Sequence, residues 1–289
     1  MSLIYHYCSP YTFLQILERK RIWLSSTSNM NDSAECEWFI DAVKDVLDQN
    51  VTLLGSDWCQ TASIYIKNNF QPKYVACFSK DGDSLSQWRA YADNGEGLAI
   101  GFERDELNFD KKSLTPTVSE SEKIEIDDIK YIEKEDIRKF ILEKMMEIRE
   151  HYKGNDVIDP RLKNELRGVY PEICSVSAIM FVRVIINLAA SVKNPAFSEE
   201  KEVRIVHSPF IEYLNNGQKV KTINAIGEIK HRISNGYLTS HFEYGFDSTV
   251  VKEIVMGPRN KFLDMDLKIF LTLNGMPSAM IKRSAATYR

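Results

Sequence analysis

The stretch Ser84–Phe102, SLSQWRAYADNGEGLAIGF, constrains the fold of this chain more than any other. Ser84 followed by Gln87 has capping-box spacing, which predicts a short helix beginning there. Trp88 and Tyr91, three residues apart, share one face of that helix. The run Asp93-Asn94-Gly95-Glu96-Gly97 ends it, because Asn and Gly accept the left-handed backbone of a sharp turn. LAIGF then reads as a buried strand. The two rings have two readings. One is core packing, the ordinary role of aromatics at helical spacing; the other is a cleft wall against a flat ligand ring.

The rest of the chain supplies strands at both ends and helices between them. Ile4–Tyr7 is strand-like; Ser9 caps a helix with Pro10 at its first position and Phe13, Leu14 and Leu17 as its apolar stripe. IWLSS reads as a second strand, followed by a polar SNMND turn. A helix with Trp38, Phe39, Val43, Val46 and Leu47 comes next, then further helix over Val51–Asn69. YVACFS is a strand leading into the organising stretch. Lys111–Glu125 reads as an exposed polar excursion. KYIEK is a weak strand, and helical spacing covers Glu135–Tyr152 and about Leu162–Val192. EVRIVH alternates, with Glu202, Arg204 and Val206 on one face and Val203, Ile205 and His207 on the other. Strands follow over Val220–Ile226, Glu228–Ile233, Val250–Met256 and near Lys282, with a helix over Leu263–Asn274. The expected class is α+β, a mixed or antiparallel sheet core in one domain spanning 1–289, with a helical block at about 135–192.

Composition narrows the function. With 44% hydrophobic and 27% charged residues the chain has the make-up of a folded globular protein, and a net charge of −4 gives no global field for nucleic acid. A local basic patch stays open. Five widely spaced cysteines without a CxxC pair fit a reducing compartment. The opening MSLIYHYCSP lacks a signal-peptide pattern, and the most apolar run, Ile173–Val192, is interrupted by Arg183 and Asn187. Both favour a cytoplasmic protein that does not enter a membrane. GxGxxG after a strand, GxxxxGK, HExxH and GxSxG are all missing, and no histidine stands at metal-ligand spacing, so no metal is expected.

Three places carry chemistry. His6, on the opening strand, either bonds backbone in the core or points its imidazole at a ligand's hydroxyls. Trp88 and Tyr91 form the second. Glu202 is the third: a carboxylate opening an apolar strand can stabilise a developing oxocarbenium, or it is half of a weak ion pair with Arg204. Arg204 could equally hold a phosphate. Asp32, in NDSAE, reads as a helix cap.

The ordered set YHY, IWLSSTSNMND, CFSKDGDSLSQWRAYADNGEGLAIGF and FSEEKEVRIV, with Gly257-Pro258 after a later strand, resembles the DUF2971 family of uncharacterised bacterial proteins. That motif order is in turn similar to ADP-ribosyltransferase-like folds. The resemblance implies NAD as substrate, bound by His6, Tyr7, Trp88, Tyr91 and Arg204. His6 would orient the ribose, Tyr91 or Trp88 would stack on nicotinamide, and Glu202 would position the acceptor or stabilise the ribosyl cation. Ser25-Ser26-Thr27-Ser28 is an alternative middle element. The acceptor would be an unknown macromolecule, protein or nucleic acid, in a setting such as phage defence. Two further classes stand beside it: a non-catalytic nucleotide- or nucleic-acid-binding module in which Trp88 and Tyr91 stack a base, and a metal-dependent nuclease using Asp32, Glu35 and Glu202.

Overall fold

The computed structural model describes residues 2–29, 33–69, 71–107, 124–154, 156, 175–214, 217–234 and 236–287. The chain divides into two compact units. The first is Met1–Asn29 with Lys73–Ile129 and Ala196–Arg289; the second is Met30–Pro72 with Lys130–Pro195.

The strands in chain order are β1 (Leu3–Cys8), β2 (Arg21–Ser26), β3 (Tyr74–Ser79), β4 (Leu98–Glu103), β5 (Ile124–Asp128), β6 (Lys130–Tyr131) and β7 (Val192–Lys193). They continue with β8 (Glu202–His207), β9 (Phe210–Leu214), β10 (Lys219–Ile223), β11 (Lys230–Ser234), β12 (Tyr237–Gly245), β13 (Val251–Met256) and β14 (Met280–Arg283). The first unit is built on a sheet in the order β11-β12-β2-β3-β1-β4-β13-β14, with β8 added to β3 and β5 to β8. Its pairings are antiparallel except β13 with β14. The mixed α and β content read from the sequence is therefore what the chain adopts.

Strand β3 is a fork. One edge pairs with β8 over its whole length, from Tyr74–His207 to Ser79–Glu202. The other edge is shared: β2 takes Tyr74 and Val75, and β1 takes Ser79. Strands β1 and β2 thus leave β3 in different places, and the side chains between them have to finish what the ladder does not.

The two faces of this sheet differ because strand side chains alternate. One face carries Ile4, Leu24, Phe78, Ile100, Phe102, Ile205, Phe242 and Ile254. Helices Pro10–Arg19 and Asp264–Leu273 cover it with Phe13, Leu17, Leu267 and Leu271. Each such side chain taken out of water contributes about 1.5–3 kcal/mol. Helix Pro10–Arg19 starts as its sequence predicts, with the Thr12 N–H donating to Ser9 Oγ at 3.1 Å; Lys20 ends it in the left-handed region at φ 52°.

The second unit packs helices Ser33–Gln49, Ser56–Asn69, Ile137–His151 and Val176–Leu188 around Phe39, Val43, Leu47, Ala62, Ile141, Met145, Phe181 and Ile185. Trp58 Nε1 donates to Ser177 Oγ at 2.7 Å inside that core. Strands β6 and β7 form a short parallel pair.

Several boundaries differ from the periodicity reading. The polar excursion at 111–125 falls outside the described residues except for Ile124 and Glu125, which open β5. Of the helix expected over 162–192, residues 162–174 lie outside the described residues and the remainder is Val176–Leu188. Strands β9 and β12 are additional to those read from the sequence; β12 is hidden because its alternation mixes Thr239, His241 and Glu243 with Phe242 and Tyr244. Asp32 and the side chain of Glu35 lie outside the described residues.

A candidate site on the polar face of the sheet

The sheet face opposite the apolar core is charged and aromatic. Cross-strand register places Tyr5 beside Ser79, and Ser79 beside Glu202; two residues along, Cys77 stands beside Arg204. Tyr5, Tyr7, Glu202 and Arg204 therefore project from the same face.

The helix predicted after Ser84 forms over Leu85–Tyr91, but not by the capping box. Ser84 makes no side-chain cap; its hydroxyl shares a 3.0 Å hydrogen bond with Ser86, and its N–H donates to Tyr7 Oη at 2.9 Å. A tertiary contact starts the helix instead of a local one. Tyr7 in turn donates to the Asp81 carbonyl at 2.7 Å. Burial pushes its phenol far above the usual range, so the hydroxyl stays a donor.

The two rings of the helix part company. Trp88 is fully buried, edge-on to Tyr7 with ring centres 4.6 Å apart, and its Nε1 donates to Asp83 Oδ1 at 2.8 Å. Asp83 also accepts from Ser284 Oγ and from the Ala285 N–H, so the segment after β14 is tied over this cluster. Tyr91 sits at the rim, 46% exposed, and donates to Glu200 Oε1 at 3.3 Å. Trp88 is a core anchor and Tyr91 a surface ring.

The glycine turn behaves as its composition requires. Asp93, Asn94 and Gly95 have φ of 46°, 52° and 88°. A Cβ on Gly97 would stand 2.2 Å from the Cys8 carbonyl oxygen, so only glycine fits. The Gly257–Asn260 segment brackets the turn: the Gly257 N–H donates to Gly97 O at 3.0 Å, and Asn260 Nδ2 to Glu96 O at 2.6 Å.

Glu202 and Arg204 form a buried fork. Arg204 Nε donates to Glu202 Oε1 at 2.7 Å and Nη2 to Oε2 at 3.1 Å, with the side chains 2% and 6% exposed. The expectation of a weak surface pair, worth 0–1 kcal/mol, does not apply to such a geometry. Removing one partner from a buried pair costs about 3–5 kcal/mol, since both directed bonds are lost while the other charge stays buried.

Smaller ionic contacts surround the fork. Lys201, held at φ 44°, donates to Asp81 Oδ2 at 3.0 Å. The Asp83 N–H and Lys201 together hold the Asp81 carboxyl below its ordinary value. Lys80 and Arg104 both reach Asp128, at 2.9 and 2.8 Å, and outweigh the opposing effect of burial to lower its pKa. Tyr5 donates to Glu253 Oε1 at 3.2 Å; burial, then the Glu253 charge, pushes its phenol up to about 12.

His6 is elsewhere. It alternates with Tyr5 and Tyr7 and so lies on the apolar side, its ring 5.5 Å from Phe78. Nδ1 meets the Cys77 carbonyl at 2.9 Å, bridging the fork where β1 no longer pairs with β3. Burial lowers its pKa. Of the residues singled out from the sequence, the structure brings Tyr7, Trp88, Tyr91, Glu202 and Arg204 to one face and sends His6 to the other. The sequence reading also passed over Asp81 and Asp83 and gave Glu200 no role beyond a solvated turn. The signal for the first two was there: SKDGDS is a turn with two carboxylates directly before a helix.

Part of this face lies within a family match. Residues 87–205 match the family model DUF2971, a protein of unknown function. This DUF2971 segment starts inside helix Leu85–Tyr91 and ends in β8, so it includes the glycine turn, the Glu202–Arg204 fork and Glu200. No curated protein and no solved structure matches the chain. Among the described residues no group of three or more His, Cys, Asp or Glu side chains is placed to hold a metal, and no helix is long and apolar enough to cross a membrane.

Proposed function

We propose that the polar face of the first unit acts on NAD, transferring its ADP-ribosyl group to a macromolecular acceptor, with Glu202 as the catalytic carboxylate and Tyr91 as the ring that stacks on nicotinamide. One observation carries the reading: the Glu202 carboxylate is gripped at both oxygens by Arg204, which fixes its position and orientation at the start of a strand. An anion fixed in place before the reaction is what a developing ribosyl cation needs. The bond between the ribosyl carbon and the nicotinamide nitrogen breaks, and nicotinamide leaves with the electron pair. The acceptor's nucleophile supplies the new pair, and its proton passes to Glu200. Glu200 is fit for this because it is only partly buried and already accepts from Tyr91. His6 has no part, since it projects from the other face, and Trp88 supports Tyr7 from within.

The same fork favours a second reading, a nucleotide-binding module without catalysis. Arg204 takes both Glu202 oxygens and so offsets the charge that catalysis would use. NAD titration by calorimetry, with nicotinamide release followed in parallel, separates the two. The transferase predicts binding and slow release in the wild type, with release lost in Glu202→Gln and binding weakened in Tyr91→Ala. Binding without release in every variant selects the module; no binding at all ends both.

A further inference from the structure

At the other end of the same face, strands β2, β12 and β11 assemble a second polar cluster. Register sets Ser25 beside His241, Trp23 beside Glu243 and Arg232 beside Thr239. Arg232 reaches across β12: its Nη2 donates to Ser25 Oγ at 3.1 Å, and its guanidinium carbon lies 5.2 Å from the centre of the Trp23 ring. Trp23 also lies against His241, ring centres 4.5 Å apart and 33° from parallel.

The cluster is incomplete in a specific way. Arg232 Nε and His241 Nδ1 are both shielded from solvent and have no hydrogen-bond partner among the described residues. Buried polar atoms are nearly always paired, so an arginine N–H and an imidazole nitrogen left without partners in one cluster mark a place built for another group. The nearby carboxylate does not serve them: Glu243 accepts from Lys230 Nζ at 2.8 Å and lies 3.8 Å from Arg21 Nε. Arg21, Lys230 and Arg232 against Glu243 leave this end of the face basic on a chain whose net charge is −4. Lysine on an edge strand is ordinary protection against aggregation. An arginine folded inward onto a tryptophan, with its Nε unpaired, is not.

We propose that Arg232, His241 and Ser25 form a binding site for a phosphate group, with the Trp23 indole as its movable cover. The planar guanidinium, the imidazole in its Nδ1–H tautomer and the Ser25 hydroxyl suit a tetrahedral oxyanion. The anion displaces the indole from Arg232 Nε and His241 Nδ1 and accepts from both, while Ser25 completes the set. The site is independent of Glu202 and of the transferase reading.

The test is calorimetric titration with inorganic phosphate, pyrophosphate and AMP at constant ionic strength, alongside tryptophan emission. The expected result is saturable binding with a change in emission that Trp23→Phe removes. Arg232→Gln and His241→Ala should each weaken binding at least tenfold, Arg232→Lys should weaken it less, and Glu202→Gln should leave it unchanged. Thermal melting of each variant checks folding, and Arg232→Lys stands in if Arg232→Gln does not fold. Stronger binding of AMP than of both inorganic probes identifies a nucleotide as the source of the phosphate, and equal binding identifies the free anion. No binding by any probe overturns the site, as does binding that Arg232→Gln and His241→Ala leave intact.

Discussion

Strand β8 presents Val203, Ile205 and His207 to one side and Glu202, Arg204 and Val206 to the other, yet all six are buried. The apolar side is held by contact area, so its stability is spread over many side chains. The polar side is held by a few directed bonds, each of which fails outright when one partner is lost. Burial alone does not distinguish these faces. What lies beneath each charge does.

The largest effect should come from splitting the fork. Arg204→Met is expected to lower the unfolding free energy by about 3–5 kcal/mol, whereas the double variant Glu202→Met with Arg204→Met should recover most of the loss. Urea denaturation of the three proteins measures it. A double variant as weak as the single one would mean that the polar face is held by something other than this pair. On the apolar side, Ile205→Ala should cost about 2–4 kcal/mol with no partner whose removal restores it. That asymmetry is the sharpest form of the comparison.

Next in size is Gly97→Ala. Its methyl group would meet the Cys8 carbonyl oxygen at 2.2 Å, and relieving such overlap costs about 1–3 kcal/mol. A Tm within experimental error of wild type would show that the turn is free to move off β1.

His6 gives a smaller, pH-dependent effect. Burial depresses its folded pKa below 6.5, so folding releases a proton when the unfolded histidine is charged. Its contribution is fully present above about pH 6.5 and is lost as pH falls through the folded pKa. His6→Gln should flatten that part of the stability–pH curve, measured as the urea midpoint between pH 5 and 8. His241, whose pKa burial and Arg232 also lower, acts in the same direction, so His241→Gln is the control that apportions the slope. The smallest stability change belongs to Tyr91→Ala, within about 0.5 kcal/mol because the ring is exposed. Only its effect on NAD binding should be large.

Much of the fold was legible because it follows from local rules. Ser9 and Pro10 set a helix start, the Asp93–Gly95 run set a turn, and alternation sorted Glu202 and Arg204 from Val203 and Ile205. Alternation also held the clue that His6 and Tyr7 face opposite ways, but a sequence does not say which way is the core. Strand β12 escaped because its polar positions look like loop.

The sequence by itself determined most of the elements and the period of their side chains. These depend on backbone sterics within a few residues. The tertiary structure decided the rest. It buried the Glu202–Arg204 fork and divided Trp88 from Tyr91. It used Tyr7 to start a helix that Ser84 does not cap. It also set Ser25 against Arg232, 207 residues apart. Such contacts depend on the register between strands distant in the chain, and no local pattern specifies that register.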